Sequence, residues 1–98
     1  MPALRDPWTA AAECLKVLAH PARLRIVETL LARRCTVGQL AAECDLPDHV
    51  ASGHLRLLQR CGLLAPQREG RTVCYVVSDP CVKKLMACIR SKFQDAAE

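Results

Sequence analysis

Apolar residues recur along the first half of the chain at spacings of three and four, the period of amphipathic helices. Leu15 and Leu18 form the apolar stripe of a first helix, which is predicted from about residue 9 to residue 19. The helix ends before His20-Pro21, because the residue before a proline disfavours helical geometry. A second helix begins at Pro21 and ends at Arg33-Arg34, and its apolar face is aliphatic: Leu24, Ile26, Val27, Leu30 and Leu31.

Two shorter helical patterns follow. Thr36 is predicted to cap a third helix that runs through Cys44. Asp45-Leu46-Pro47 predicts a turn, and a fourth helix then extends to about Cys61, where Gly62 stops it. The inward side of that fourth helix is predicted to hold four aliphatic residues: Val50, Leu55, Leu57 and Leu58.

The pattern then changes to that of a hairpin. Leu63-Leu64 begins a strand, Gln67 to Gly70 is predicted as the turn, and the β-branched run from Thr72 to Val77 is the return strand. Ser78-Asp79-Pro80 starts a last helix to about Phe93, with the stripe Val82, Leu85, Met86, Ile89 and Phe93. The order α-α-α-α-β-β-α predicts a mainly α fold with a β-hairpin wing, a winged helix-turn-helix, as a single domain over residues 1–98.

Composition narrows the function. The net charge is +4, from 14 Lys+Arg against 10 Asp+Glu, which suits contact with nucleic acid. No apolar run approaches the roughly 20 residues of a membrane span, and no secretion signal is evident, so we expect a cytoplasmic protein without a membrane partner. The sequence contains no CxxC, no catalytic Cys-His-Asn pattern and no nucleotide loop, so we do not expect an enzyme.

The segment from Thr36 to Cys61 has helix-turn-helix spacing, a short helix, a tight turn and a longer helix that enters the major groove. Arg68 and Arg71 lie near the tip of the predicted wing, where they would meet phosphates. The alternative is that these polar positions form a solvated surface. The longer helix would direct its N-terminal half to double-stranded DNA through Asp48, His49, Ser52, Gly53, His54 and Arg56.

Several runs resemble the ArsR/SmtB repressors. Residues 18–27, LAHPARLRIV, resemble the family signature LxHPxRLxIL, and residues 36–41 and 52–64 resemble its helix-turn-helix. Residues 68–75, REGRTVCY, are similar to its wing, so the resemblance covers about residues 14–90. It implies a homodimer joined by the first and last helices, and a repressor that leaves its operator when an inducer binds. Gly53 departs from the family, which has a polar or basic residue there; glycine costs roughly 1 kcal/mol of helix propensity.

Seven cysteines occur in the 98 residues, an odd number without a secretion signal. We therefore expect reduced thiols that are either buried small hydrophobes or ligands for a soft ion. The family's CxC pair is absent, because only Cys35 stands in that stretch. Its DxH…HxxE zinc site is echoed by Asp79-Pro80-Cys81, but the second half falls on Lys92 and Asp95, so a thiolate site is favoured over zinc or nickel.

The candidate ligands are Cys14, Cys35, Cys81 and Cys88, and the expected inducer is As(III)/Sb(III) or Cd(II)/Pb(II). Cys81 and Cys88 share a helix face about 10 Å apart, so one ion would need ligands from other elements or from a second protomer. Which cysteines combine stays open. Cys44 and Cys74 are expected to be packing or surface residues. Cys61 stands where some cadmium/lead sensors of the family have a thiol, but its usual partner four residues earlier is Leu57 here.

A second signal is compatible with the same fold. Some relatives sense persulfide or oxidants by joining a cysteine of the second helix to one of the last. This chain has Glu28 or Thr29 at the first of those places, which counts against that pairing, although Cys14 with Cys88 remains a possible redox pair. Among the histidines, His20 is expected to cap a helix, and His54 is expected to have either a structural or a phosphate-contacting role.

Overall fold

The computed structural model describes residues 6–94. Its elements are α1 (Pro7–Leu18), α2 (Pro21–Ala32), α3 (Val37–Glu43), α4 (Asp48–Arg60), β1 (Leu64–Glu69), β2 (Thr72–Val77) and α5 (Pro80–Ile89), followed by a π-helical turn (Arg90–Gln94). This order confirms the predicted winged helix-turn-helix, with a two-stranded antiparallel hairpin as its wing. No helix in residues 6–94 is long and apolar enough to cross a membrane.

Side-chain caps determine where the helices begin. His20 Nδ1 accepts a hydrogen bond from the Ala22 backbone N–H at 3.1 Å, directly before Pro21. Thr36 forms a reciprocal capping box with Gln39, and Asp79 accepts from the Cys81 N–H at 2.9 Å. Each cap satisfies a backbone donor that has no partner inside its helix. The predicted caps at His20, Thr36 and Asp79 are thereby confirmed.

The core lies between α2, the helix-turn-helix and the base of the hairpin. Its largest fully buried side chains are Ile26, Leu40, Leu55, Leu58, Val27 and Cys35. The tight turn between α3 and α4 is closed by Asp45, which has a φ of 54°. Aspartate tolerates this left-handed conformation better than most residues. The core therefore fixes α4 against the body along one face only.

The wing is longer than predicted. β1 pairs with β2 from Leu64↔Val77 to Glu69↔Thr72, so Gln67 to Glu69 are strand residues and the predicted turn over Gln67–Gly70 was wrong. The connection is the two-residue loop Gly70-Arg71, in which Gly70 has a φ of 64°. A tight hairpin needs positive φ at its first loop position, and Gly70 supplies it there. The shift places Arg71 at the tip.

The last helix also differs from its prediction. The α-helix ends at Ile89 and continues as the π-helical turn, so the regular spacing that would align Phe93 with the stripe is lost. Val82 and Met86 are buried, whereas Phe93 is 66% exposed. The predicted apolar stripe therefore packs into one protomer from Val82 to Ile89, and its last member, Phe93, does not.

Candidate DNA interface and cysteine sites

The outer face of α4 carries the predicted base-reading positions. Ala51, Leu55 and Leu58 are buried on the inner face. Asp48, His49 and Arg56 are exposed, and Ser52 and Gly53 are partly exposed between them. Because residues 48, 52 and 56 are four apart, they follow one line along the helix. The structure thus brings five of the six predicted α4 positions to one outward stripe.

Asp48 is the first residue of α4 and not its cap. The N-cap is Pro47, which makes no side-chain hydrogen bond to the helix. A carboxylate in the first turn is favourable toward the positive end of the helix dipole. Asp48 therefore suits the start of α4 without replacing the missing cap.

His54 faces inward, which favours the structural role over the contact with DNA, the two roles expected for it. Its Nδ1 accepts a hydrogen bond from Arg23 Nε at 3.1 Å, and its ring lies 5.0 Å from that of His20. Burial lowers the pKa of His54, and the neighbouring Arg23 and His20 lower it further. Arg23 also donates to the Val17 carbonyl at 3.1 Å. His54 thus joins the recognition helix to the α1–α2 corner, a contact that sequence spacing did not indicate.

The wing presents arginines without internal partners. Arg68 and Arg71 are exposed, and within residues 6–94 the side chain of neither has a hydrogen-bond or ion-pair partner. Arg34, by contrast, binds Glu69 at 3.0 Å and Gln67 at 3.2 Å. Arg34 therefore binds the half of β1 that is nearer the tip, while Arg68 and Arg71 are left for an external anion.

Three cysteines belong to the interior. Cys35, Cys44 and Cys74 are 0%, 3% and 8% exposed. The Cys35 thiol donates to the Arg33 carbonyl at 3.6 Å, and burial raises its pKa. The Cys74 thiol donates to Glu69 Oε1 at 3.3 Å, which raises its pKa. This burial favours packing over a surface position for Cys44 and Cys74, whereas Cys35, expected as a ligand, is as enclosed as any core residue.

The other four cysteines lie at the surface. Cys81 and Cys88 are exposed on α5, and Cys14 and Cys61 are partly buried. Cys14 and Cys81 line one groove of about 270 Å³ together with Asp79, and Cys88 is not part of it. Within residues 6–94 of one protomer, no three Cys, His, Asp or Glu side chains are grouped so as to hold a metal ion. The structure thus brings Cys14 and Cys81 together, but does not assemble the full predicted set.

Two further contacts were not predicted. The Cys14 thiol donates to the Cys61 carbonyl at 3.9 Å, joining α1 to the end of α4. Glu28 binds Arg90 at 2.6 Å, so an ion pair joins α2 to the π-helical turn that follows α5. Both contacts join residues that are distant in sequence, so no local sequence pattern could predict them.

Comparison with known proteins agrees with this geometry. Residues 18–67 match the model of a helix-turn-helix domain family. The chain is 39% identical over 80 residues to the transcriptional regulator Rv0081 of Mycobacterium tuberculosis, covering 81% of this chain and 70% of that protein. It is 35% identical over 78 residues to the transcriptional repressor SmtB of the same organism, covering 80% and 58%.

Solved structures show the same architecture. Reduced HlyU from Vibrio cholerae superposes with a TM-score of 0.82 at 31% identity, over 89% of this chain and 92% of that one. The homodimeric winged helix-turn-helix DNA-binding domain of Mb0332 from Mycobacterium bovis, a possible ArsR-family regulator, gives 0.83 at 25% identity, over 100% and 94%. The chain belongs to the ArsR/SmtB family of DNA-binding, winged helix-turn-helix transcriptional regulators.

Proposed function

We propose that this protein is a homodimeric repressor that binds operator DNA and is released when a thiophilic metal or metalloid binds its surface cysteines. The proposal rests on one observation above all. Among residues 6–94, arginine side chains on the recognition helix and the wing have no partner, and accessible thiols lie on the helices away from them. A DNA-binding protein that is controlled by a ligand requires one set of side chains for DNA and a separate set for the ligand.

The DNA contact is supported by the outward stripe of α4 and by the wing. Arg56 lies on the stripe, and Arg68 and Arg71 extend from the hairpin, all exposed. Phosphate contacts from such arginines position a recognition helix, and base-edge contacts specify the sequence. We assign the phosphate role to Arg68 and Arg71, and base contacts to His49, Ser52 and Arg56. Asp48 can accept a hydrogen bond from a cytosine amino group. Gly53 has no side chain for such a contact and only allows the helix backbone to approach DNA closely.

Dimerisation is supported by apolar residues on the first and last helices. Trp8 is 79% exposed and Leu15 52% exposed on α1, and Phe93 is 66% exposed after α5. Large apolar side chains left in water mark a surface that another molecule covers. A second copy of the chain is the proposed partner, because two recognition helices one DNA turn apart require two protomers.

The inducer is proposed to be As(III), Sb(III), Cd(II) or Pb(II), because thiolate ligands select soft ions. Cys14 and Cys81 share a groove in one protomer, and Cys88 is exposed on the same helix as Cys81. A three-thiolate site would be completed across the dimer. Cys35 would need the core to open before its sulfur could bind anything.

Release follows from linkage. An inducer that prefers a dimer in which the recognition helices no longer fit the operator must weaken DNA binding by the same factor by which DNA weakens inducer binding. Couplings of this kind are typically about 1–3 kcal/mol. Ligands on α1 and α5 would act through the position of each protomer in the dimer.

The test is a fluorescence-anisotropy titration of the reduced protein on an operator-like duplex, with arsenite, antimonite, cadmium, lead, zinc or a persulfide added. We expect release by a soft ion and loss of that release in Cys14→Ser, Cys81→Ser or Cys88→Ser, but not in Cys44→Ser. Release by persulfide alone, reversed by a dithiol, would instead establish a redox switch. Failure to bind any duplex would overturn the proposed function.

A further inference from the structure

The segment that joins α2 to α3 contacts both strands of the wing. Cys35, in this segment, is fully buried, and its backbone carbonyl accepts a hydrogen bond from the Tyr75 N–H of β2 at 2.8 Å. The preceding residue, Arg34, extends its side chain to β1, where its Nη1 lies 3.2 Å from Gln67 Oε1 and 3.0 Å from Glu69 Oε2. The core therefore fixes a segment that binds one strand through its backbone and the other through an arginine side chain.

Glu69 is the wing residue on which these contacts converge. Its Oε1 accepts a hydrogen bond from the Cys74 thiol at 3.3 Å, and its Oε2 forms the ion pair with Arg34. Its backbone carbonyl accepts from the Thr72 hydroxyl at 2.8 Å. Glu69 is the last residue of β1 and directly precedes the two-residue loop at the tip. Both carboxylate oxygens are thus engaged next to the loop.

Strand geometry separates these contacts from the arginines of the wing. Successive side chains point to opposite faces of a strand, so Gln67 and Glu69 share one face of β1, and Arg68, between them, lies on the other. The face of Gln67 and Glu69 also carries Cys74, which pairs with Gln67 and is buried. Holding this inner face to the helical body therefore leaves Arg68 on the outer face and Arg71 at the tip.

The half of the wing nearer the tip has few other contacts with the body. Residues 66–73 are exposed, and within residues 6–94 both polar side-chain contacts from the body to this stretch come from Arg34. An isolated two-stranded hairpin is only marginally stable in water, so these contacts help to decide how well the tip is ordered. An exposed ion pair adds little to the stability of a whole protein. We therefore expect its effect in the wing and not in global unfolding.

We propose that Arg34 and Glu69 are positioning residues for DNA binding, which hold the tip of the wing where Arg68 and Arg71 reach phosphates. The inference deepens the proposed function and rests on its DNA contact. Glu69 stands next to both the outer-face and the tip arginine, and a free carboxylate there would repel phosphates. The ion pair with Arg34 compensates this negative charge and uses it to order the tip. Neither residue of the pair needs to touch DNA for this role.

The decisive variant is Glu69→Gln, because charge and positioning predict opposite results. If Glu69 only repelled phosphates, its neutralisation would tighten DNA binding. We expect affinity to fall instead, about two- to fivefold for each wing in contact with DNA, since the loss cannot exceed what an exposed ion pair contributes. The salt dependence should become shallower, because fewer phosphate contacts are made. The measurement is fluorescence anisotropy over a range of salt concentrations, with a labelled duplex that the wild-type protein selects from a random-sequence pool.

Arg34→Gln tests the other half of the pair. The double variant with Glu69→Gln should bind DNA no more weakly than Arg34→Gln alone, because both changes remove one shared interaction. Amide hydrogen exchange over residues 66–73, measured without DNA, should be faster in each single variant than in the wild type. Glu43→Gln is the matched control, since it breaks the exposed Arg33–Glu43 ion pair of 2.9 Å outside the wing and should leave the wing exchange and the salt dependence unchanged. Urea unfolding confirms that each variant folds.

The outcomes separate this role from the proposed function. If the wild type selects a duplex and Glu69→Gln binds it as tightly or more tightly, the repressor stands and the positioning role is overturned. Wing exchange that is equal in Glu69→Gln and the wild type overturns it as well. A loss of affinity confined to Arg34→Gln, with a salt slope shallower by about 1, would make Arg34 itself a phosphate contact. A wild-type protein that selects no duplex would overturn the proposed function and the positioning role together.

Discussion

The proposed DNA-binding end and the cysteine-bearing face of this protein are assembled in different ways. The stripe on α4 and the wing arginines come from continuous stretches, in which residues four apart share a helix face and a two-residue loop sets the tip. The contact between Cys14 and Cys61 joins two residues that are 47 positions apart in the sequence. Local spacing can specify the first kind of site, whereas only tertiary packing specifies the second.

The cysteines divide along the same line. Cys35, Cys44 and Cys74 behave as small core residues, and Cys14, Cys61, Cys81 and Cys88 remain accessible. Nothing in the neighbouring sequence separates Cys35, which follows two exposed arginines, from Cys81, which follows a helix cap. Burial, rather than residue type or count, therefore decides which thiols can serve a ligand.

The largest contrast is expected when one cysteine of each class is changed to serine. Cys35→Ser places a hydroxyl at a position that is 0% exposed, and a poorly paired buried polar group costs about 1–3 kcal/mol. Cys88→Ser, at an exposed position, should stay within about 0.5 kcal/mol of wild type. Urea unfolding under reducing conditions measures both. Equal stability of the two variants would remove the division between interior and surface cysteines.

The next contrast separates the wing from the rest of the positive surface. One phosphate contact contributes about −0.9 to the slope of log affinity against log salt concentration. The affinity lost in Arg71→Ala should therefore be roughly eightfold greater at 0.1 M salt than at 1 M salt. Its salt slope should become shallower by about 1, and the affinity for a thiophilic ion should not change. Lys84→Ala removes an equal charge from the exposed side of α5 and is the matched control. Identical salt slopes for the two variants would exclude the wing from the interface.

These differences show how much of the structure could be predicted from the sequence. It predicted all seven regular elements and three caps, because periodicity, proline positions and capping residues act over a few residues. It placed the hairpin turn too early, because turn propensity at Gln67 to Gly70 competes with strand pairing that extends to Glu69. It left His54 between a structural role and a contact with DNA, because nothing local reveals Arg23 opposite it. Likewise, the spacing of Cys35 fits a ligand position, and only the folded core encloses it.

A smaller effect is expected at Gly53, on the DNA-facing stripe. A Cβ added there would meet nothing within 4 Å, so Gly53→Ala should stabilise the protein by up to about 1 kcal/mol through helix propensity. Gly70→Ala is the opposite control, because Gly70 has a φ of 64° and a side chain is strained there. Thermal unfolding compares the two. Destabilisation by Gly53→Ala would mean that α4 needs flexibility or closer packing at this point.

The smallest effect concerns pH at the corner that joins α4 to α2. The folded pKa of His54 is lowered from its ordinary value of 6.5, so the unfolded chain binds a proton at a pH where the folded protein does not. Stability contributed by neutral His54 is therefore present above pH 6.5 and declines as the pH falls below it. His54→Gln, which keeps an acceptor for Arg23, should flatten the decline below pH 6.5, as measured by urea unfolding. His49→Gln is the control, because it leaves the Arg23–His54 hydrogen bond in place and should keep the decline in stability. If stability declines equally in His54→Gln and in the wild type, the decline belongs to other titrating groups.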